Sequence, residues 1–194
     1  MGNSESLHTD EELAHLALTH TWSFAILIDR YETKLRRYLD RLGRMPVEDV
    51  EDLLQQVFMK AYQNLNEFDP SLKFSSWIYR IAHNEAVSFF RRNDVRPEGH
   101  RVELSDQLLE TMASELNVLK SAESEDARRL LAEKIGQLDN IYREVIILKF
   151  FEDKSYDEIS NILMIPSGTV AIRLKRAKDK LETLMKSEGY IHES

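Results

Sequence analysis

Cysteine is absent from this sequence of 194 residues, which excludes disulfides, thiolate zinc sites and cysteine nucleophiles. Glycine and proline are scarce, at 6 and 4 residues, whereas Leu, Ala, Glu and Lys are frequent, and this composition predicts an all-helical protein. Long apolar runs and a secretory signal are also lacking, so we expect a cytoplasmic protein without direct membrane insertion. The hydrophobic content of 42% supports one large or two small cores.

The usual signatures of catalysis are missing as well. The 6 histidines form no HExxH-type pair. The sequence contains neither a phosphate-binding glycine loop nor a nucleophile elbow. We therefore expect no enzyme activity, no metal site and no cofactor.

Positive charge is in deficit overall, because the formal net charge is −8, but its distribution is uneven. Residues 98–139 hold ten acidic and five basic side chains, whereas residues 165–186 hold six basic and two acidic ones. Phosphate contacts dominate nucleic-acid affinity, so such a chain would bind DNA locally but free DNA weakly. This pattern suits a protein that works on DNA together with a partner.

A pair of short helices with a tight turn is predicted at residues 155–177. Ser155 and Glu158 form a capping box at its start, and Pro166 suits the entrance of the second helix. The second helix carries an apolar stripe of Val170, Leu174, Ala177, Leu181 and Leu184. Its outward side is predicted to hold Ser167, Ala171, Lys175 and Lys178, flanked by Arg173 and Arg176. This is the helix-turn-helix pattern of DNA readers, although two helices of a bundle with a solvated basic face fit the same stretch.

Three helices are predicted near the N-terminus. Thr9 and Glu12 form a capping box before a short helix, and a long amphipathic helix then ends at Gly43. The third helix follows Pro46, and its periodicity leaves an outward strip of Asp52, Gln55, Gln56 and Met59. This strip, extended by Phe58, is either a docking surface or a solvated face.

A loop with aromatic residues precedes the next helix, which is predicted from Trp77 to about Arg92 with Ser75 or Ser76 as its cap. Arg80, His83, Asn84 and Arg91 fall roughly on one side of that helix. Aromatic rings beside cations and amides form the combination that binds single-stranded nucleic acid. Trp77 itself is expected in the core, and the loop aromatics either anchor the loop or stack on bases.

The helical pattern is lost after residue 95 and returns near Glu125. We therefore predict an all-α fold with two small helical domains, at residues 8–95 and 125–187, joined by an acidic linker at 96–124. One function compatible with this organisation is a stand-alone helix-turn-helix regulator whose N-terminal domain senses a signal or dimerises.

Three segments in order resemble the extracytoplasmic-function (ECF) group of the sigma-70 family of bacterial RNA polymerase sigma factors. Residues 51–62 resemble the helix that binds core polymerase, residues 74–92 the segment for the −10 element, and residues 142–177 the helix-turn-helix domain for the −35 element. The resemblance implies two helical sigma domains that recognise −35 duplex and −10 single-stranded DNA and direct promoter-specific initiation. The implied partners are promoter DNA, the β′ clamp helices and β subunit of core RNA polymerase, and an anti-sigma factor, with the linker running toward the RNA exit.

The resemblance also implies three sets of site residues. The polymerase-binding set is Asp52, Gln55, Gln56 and Met59. The −10 set is Phe68, Lys73, Phe74, Arg80, His83, Asn84 and Arg91. The −35 set is Ser167, Thr169, Ala171, Ile172, Arg173, Lys175 and Arg176.

Several residues depart from the family pattern. Ser88 replaces a usual Asp, Met164 replaces a common turn Gly, and Ser160 replaces a common Ala. Ala171 and Ile172 replace the usual basic-plus-Ser pair, and such side chains can touch a thymine methyl group but cannot make a bidentate bond to guanine. We therefore expect base readout to depend on Lys175, Arg176 and Arg173.

Overall fold

The computed structural model describes residues 8–43, 45–93, 112 and 125–188. Helices dominate these ranges, which contain no β-strand, and they form two compact units. This confirms the predicted all-α fold with two helical domains. Apart from Met112, the predicted linker lies outside the described residues. None of the helices in these ranges has the length and apolarity that crossing a membrane requires.

The first unit is built mainly from four helices. These are α1 (Asp10–Leu16), α2 (Thr21–Leu42), α3 (Val47–Gln63) and α4 (Phe74–Arg92), with a short 3₁₀ turn at Leu65–Glu67. Helices α3 and α4 pack closely on each other, and α1 also contacts α4. All four helices contribute completely buried core side chains, which include Leu13, Leu35, Tyr38, Val57, Ile78 and Ala82.

The second unit also contains four helices. These are α5 (Glu125–Gln137), α6 (Asn140–Ile146), which continues into a π-helical turn at Ile147–Phe151, α7 (Tyr156–Leu163) and α8 (Ser167–Ser187). Both α5 and α6 pack against α8. The buried stripe of α8 contains Val170, Leu174, Ala177, Leu181 and Met185. Leu184 was predicted in this stripe but is only half-buried, since Met185 takes the last core position.

Both predicted capping boxes are present. The amide of Glu12 donates to Thr9 Oγ1 at 3.2 Å, and the amide of Thr9 donates to Glu12 Oε2 at 2.9 Å. The same reciprocal pair joins Ser155 and Glu158, with distances of 2.9 and 3.2 Å. Each box satisfies two backbone amides at a helix start, so these boundaries follow from local sequence.

The predicted start of α4 is wrong. The helix begins at Phe74, and neither Ser75 nor Ser76 caps it; the Ser76 hydroxyl is buried without a hydrogen-bond partner. Instead, the amide of Phe74 donates to Glu11 Oε1 of α1 at 2.9 Å. A carboxylate from another helix therefore satisfies the first amide of α4, which local sequence could not indicate.

Candidate nucleic-acid interface

The outer strip of α3 is exposed as predicted, with one correction. Asp52, Gln55 and Met59 are exposed, Met59 by 54%, and Gln56 is half-buried. Phe58 is buried in the core, so the prediction that it extends the strip is wrong. Tyr62 extends it instead, because it follows Met59 by three residues on the same helical face and is exposed. That spacing could have identified Tyr62 from sequence.

Three aromatic rings from the loop after the 3₁₀ turn and from the first turn of α4 pack together. Phe68 contacts Phe74 and Trp77 with ring centroids 5.5 Å apart in each case, and Phe74 lies 5.6 Å from Trp77. Phe74 is 0% exposed, so the prediction that it touches DNA directly is corrected: its ring supports the loop from beneath. Phe68 is half-buried and keeps part of its surface toward solvent.

The outward face of α4 carries polar and basic groups. Arg80 is half-buried, and Asn84 and Arg91 are exposed. Steps of four and seven residues place these three on one side of the helix. The exposed Val87 lies between them and was not identified from sequence, although the same periodicity includes it. The face therefore combines cations, an amide and one apolar side chain.

His83 lies at the edge of this face and points toward the core. Its Nδ1 is 3.2 Å from the hydroxyl oxygen of Tyr38, a completely buried residue of α2. Burial lowers the pKa of His83 to about 4. The imidazole is therefore neutral near pH 7, so it does not act as a phosphate-binding cation.

The loop before α4 has its own local order. The amide of Ser71 donates to Asp69 Oδ1 at 2.9 Å, and this hydrogen bond lowers the pKa of the Asp69 carboxyl. Such Asx turns shape short loops without tertiary contacts. Lys73 follows on the exposed side, directly before α4.

The turn between α7 and α8 contains a strained residue. Met164 has a φ of 53°, in the left-handed region that favours glycine. Its side chain is 70% exposed, so core packing does not account for this conformation. The sequence expectation of a less relaxed turn at Met164 is confirmed.

Hydrogen bonds tie this turn to α7. The amide of Ile165 donates to the carbonyl oxygen of Ser160 at 3.2 Å, and the Ser160 hydroxyl donates to the carbonyl oxygen of Ile165 at 2.6 Å. The Ser167 hydroxyl, at the start of α8, donates to Asp157 Oδ1 of α7 at 2.8 Å. Two side-chain hydrogen bonds thus fix the approach of α8 to α7.

The outward side of α8 differs from the predicted one. Ser167 and Lys178 are half-buried, and Ser167 is engaged by Asp157, so neither lies at the centre of the exposed face. That centre contains Gly168, Ile172, Lys175 and Arg176, with Ala171 exposed beside them. The buried stripe of α8 explains the change, because Ile172 lies directly opposite its Val170–Leu174–Ala177 line at 100° per residue.

Glu144 of α6 is a half-buried residue that sequence inspection did not single out. Burial raises its pKa to about 7, although the charges of Arg173 on α8 and Arg143 oppose the rise. Arg173 is half-buried, in agreement with a position at the side of the exposed face of α8. Within the described ranges, no cluster of three or more His, Asp or Glu side chains could hold a metal ion.

Comparison with known proteins identifies both units. A family model described as Sigma-70 region 2 matches residues 27–96, and one described as Sigma-70, region 4 matches residues 128–181. The ECF RNA polymerase sigma factor SigW of Bacillus subtilis (strain 168) is 35% identical over 167 residues, which cover 82% of this chain and 87% of SigW. The ECF RNA polymerase sigma-E factor of Escherichia coli (strain K12) is 30% identical over 164 residues, covering 82% and 85% of the two chains.

Solved structures show the same architecture. The chain resembles CnrH, solved in complex with the cytosolic domain of CnrY, with a TM-score of 0.66 and 26% identity over 92% of this chain and 98% of that one. The sigma factor RpoE of Bartonella quintana, solved with the anti-sigma factor NepR, shares the fold with a TM-score of 0.59, 22% identity and coverage of 84% and 96%. Two sigma regions in one short chain define the class as a sigma-70-type transcription initiation factor. The chain belongs to the family of ECF RNA polymerase sigma factors.

Proposed function

We propose that this sigma factor binds core RNA polymerase through the exposed strip of α3. Carboxylate, amide, thioether and phenol groups alternate there with the buried core positions of the same helix, so the surface is amphipathic without charge excess. Surfaces of this mixed character are typical of protein–protein interfaces. The proposed contact residues are Asp52, Gln55, Gln56 and Met59, and the β′ clamp helices and β subunit are the proposed partner.

The −10 element is proposed to bind as a single strand along α4 and the preceding loop. Phe68 offers a ring edge, Asn84 offers an amide for base edges, and the cations can hold phosphates. The proposed contacts are Phe68, Lys73, Arg80, Asn84 and Arg91. Phe74 and His83 are proposed to support this surface from the core, because one is completely buried and the other is neutral and bonded to Tyr38.

The −35 element is proposed to bind as duplex to the exposed face of α8. The observation that carries the proposal is this face itself: a glycine, a branched apolar residue and two cations at the N-terminal half of the second helix of a helix-turn-helix. In this motif the N-terminal residues of the second helix contact base edges in the major groove. The proposed contacts are Thr169, Ala171, Ile172, Arg173, Lys175 and Arg176, with Ser167 as a residue that positions the helix through Asp157.

The domain roles follow from these surfaces. Residues 8–95 are proposed for polymerase binding and −10 melting, residues 125–187 for −35 binding, and residues 96–124 as the acidic linker between them. Because the compared structures of CnrH and RpoE contain the cytosolic domain of CnrY and the anti-sigma factor NepR, an anti-sigma partner is proposed here as well. The proposed location is the cytoplasm, where polymerase acts. Matches to two sigma regions favour this function over a stand-alone regulator.

In vitro transcription with purified core enzyme and fragments of the parent genome tests the proposal. We expect initiation at defined promoters only when this chain is added. Absence of stimulation at every fragment, with core enzyme that responds to another sigma factor, would contradict it. Tight, specific duplex binding by the chain without polymerase would favour the stand-alone regulator instead.

The docking surface can be tested separately. Gln55→Lys with Gln56→Lys should weaken binding to core polymerase by at least tenfold, since it places two charges in the contact. Gln137→Lys, an exposed glutamine on α5, is the matched control and should leave core binding unchanged. Equal affinities for the two variants would show that the α3 strip is not the contact.

Strand capture has its own assay. Asn84→Ala should reduce the permanganate reactivity of −10 thymines, which reports strand opening, more than it reduces protection of the −35 duplex. The asparagine side chain is exposed, so its removal leaves the core of the first unit intact. Equal loss at both elements would argue against a role in strand capture.

A further inference from the structure

One residue at the centre of the exposed face of α8, Ile172, is apolar, and this has a chemical consequence for the promoter. Ile172 is 55% exposed and projects away from the core stripe of α8. An isoleucine side chain has no hydrogen-bond donor or acceptor, so it cannot read the polar edge of any base pair. In the major groove, the one apolar group that distinguishes a base is the 5-methyl group of thymine.

The surroundings of Ile172 allow a close approach to DNA. One turn earlier along α8, Gly168 has no side chain, and apart from its chain neighbours and the adjacent helix backbone no heavy atom lies within 4 Å of the position where its Cβ would be. One turn later, Lys175 and Arg176 are exposed on the same face. An open glycine position lets the helix backbone approach the groove, and the two cations complement the flanking phosphates. The charge pattern therefore fits a nucleic acid rather than an apolar protein partner.

We propose that Ile172 is a specificity-determining residue that selects a thymine in the −35 element by contact with its 5-methyl group. The proposal rests on the proposed function, since it requires that α8 enters the major groove at −35. Ala171 lies beside Ile172 on the exposed surface and leaves space for the methyl group instead of competing with it by a polar side chain. Discrimination at this position is then against cytosine, whose ring lacks the methyl group and presents an amino donor to an apolar surface.

Deoxyuridine provides a test that changes one methyl group and nothing else in base pairing. The holoenzyme, made from core polymerase and the full chain, first selects −35 elements from a randomised promoter library. Each thymine of the selected element is then replaced by deoxyuridine in turn, and binding is measured by competition. At one or two positions the replacement should weaken binding about fourfold, the factor expected for removal of one buried methyl group.

Variants of the chain link that effect to the side chain. With Ile172→Ala, the ratio of thymine to deoxyuridine affinity at those positions should fall to about one, whereas Ile172→Val, which keeps a branched apolar group, should retain part of it. Ile141→Ala, an exposed isoleucine on α6, is the matched control and should leave the ratio unchanged. Ile172→Ala replaces an exposed residue by a better helix former, so the fold is retained.

The possible outcomes separate the two proposals. Selection of a −35 element whose thymines all tolerate deoxyuridine would overturn the role of Ile172 and leave the sigma-factor function standing. The same holds if the thymine effect persists in Ile172→Ala. A holoenzyme that selects no promoter element at all would overturn the proposed function and this inference with it.

Discussion

Replacement of Met164 by glycine should stabilise the turn between α7 and α8, although it removes a side chain. Met164 adopts a left-handed backbone conformation in the turn between α7 and α8, and its side chain is largely exposed. The substitution therefore relieves backbone strain and loses little buried surface. No other residue needs to move, because the turn already has the geometry that glycine prefers.

The magnitude follows from two opposing terms. A left-handed conformation costs a non-glycine residue about 1–2 kcal/mol relative to the right-handed one. Glycine also makes the unfolded chain more flexible, and this lowers the free energy of unfolding by roughly 0.5–1 kcal/mol. The expected net stabilisation by Met164→Gly is about 0.5–1 kcal/mol.

The hydrogen bond from Ser160 to the Ile165 carbonyl provides the second half of the experiment. Such a bond contributes on the order of 1 kcal/mol. The higher helix propensity of alanine offsets part of its loss in Ser160→Ala, about 0.5 kcal/mol. If the bond holds the strained turn in place, Ser160→Ala should cost more in the Met164 background than in Met164→Gly, so the double-mutant cycle should be non-additive.

Hydrogen exchange measured on α7 and α8 peptides of the full chain is the appropriate assay, since it reports the local stability of this unit. Met164→Gly should increase amide protection there and leave α2 and α3 unchanged. A decrease in protection on α7 and α8, or strictly additive effects of the two substitutions, would refute the reasoning about strain and its compensation.

Three further predictions concern titratable side chains at partly or fully buried positions. The pKa of Glu144 is about 7 in the fold against 4.5 for the free side chain, so the stability of the second unit is complete below about pH 4.5 and falls as the pH rises through 7. Glu144→Gln should therefore stabilise this unit by ~3 kcal/mol at pH 8 and little at pH 4.5. The free energy of unfolding can be measured by hydrogen exchange of α6–α8 at increasing urea concentration. An equal stabilisation at the two pH values would contradict the assignment to Glu144. His83 behaves in the opposite sense: its pKa of about 4 against 6.5 means that stability of the first unit is complete above pH 6.5 and is lost as the pH falls toward 4. His83→Phe should reduce this loss of stability at acidic pH, which is ~3 kcal/mol at most, as measured by hydrogen exchange of α2–α4. An unchanged dependence of stability on pH would show that another group causes the loss. Lys60 Nζ lies 2.6 Å from Oε1 of Glu85, whose side chain is only 9% exposed, so Lys60→Met should destabilise the first unit by about 1–3 kcal/mol and Lys60→Met with Glu85→Gln should restore most of it. A loss that persists in the double variant would indicate a packing role for Lys60 instead of charge pairing.

Periodicity predicted most of the fold because the helices are amphipathic and their starts are marked locally. The capping boxes at Thr9 and Ser155 and the core stripe of α3 could be located from sequence alone. The start of α4 could not, because its first amide is satisfied by Glu11 from a distant part of the chain. Phe58 was placed outside for a related reason: it borders the stripe, and only packing against neighbouring helices decides that it is buried.

The exposed face of α8 shows how closely a helical pattern in the sequence can locate a surface. A stripe of four or five apolar residues sets the direction of the core only to within about one residue position. Met185 rather than Leu184 occupies the last core position of α8, and Ser167 is hydrogen-bonded to Asp157. The centre of the exposed face therefore lies nearer to Ile172 than to Ala171. The charge content of the face was predictable, whereas the residue at its centre required the structure.

The cluster of Phe68, Phe74 and Trp77 also provides an intrinsic fluorescence signal, because it contains a tryptophan. The sequence contains 2 tryptophans, Trp22 and Trp77, and both belong to the first unit. Trp77 is buried among aromatic rings and Trp22 is 51% exposed, so the two indoles emit from an apolar and an aqueous environment. Fluorescence excited selectively at tryptophan thus follows the first unit of the free chain alone, without labelling.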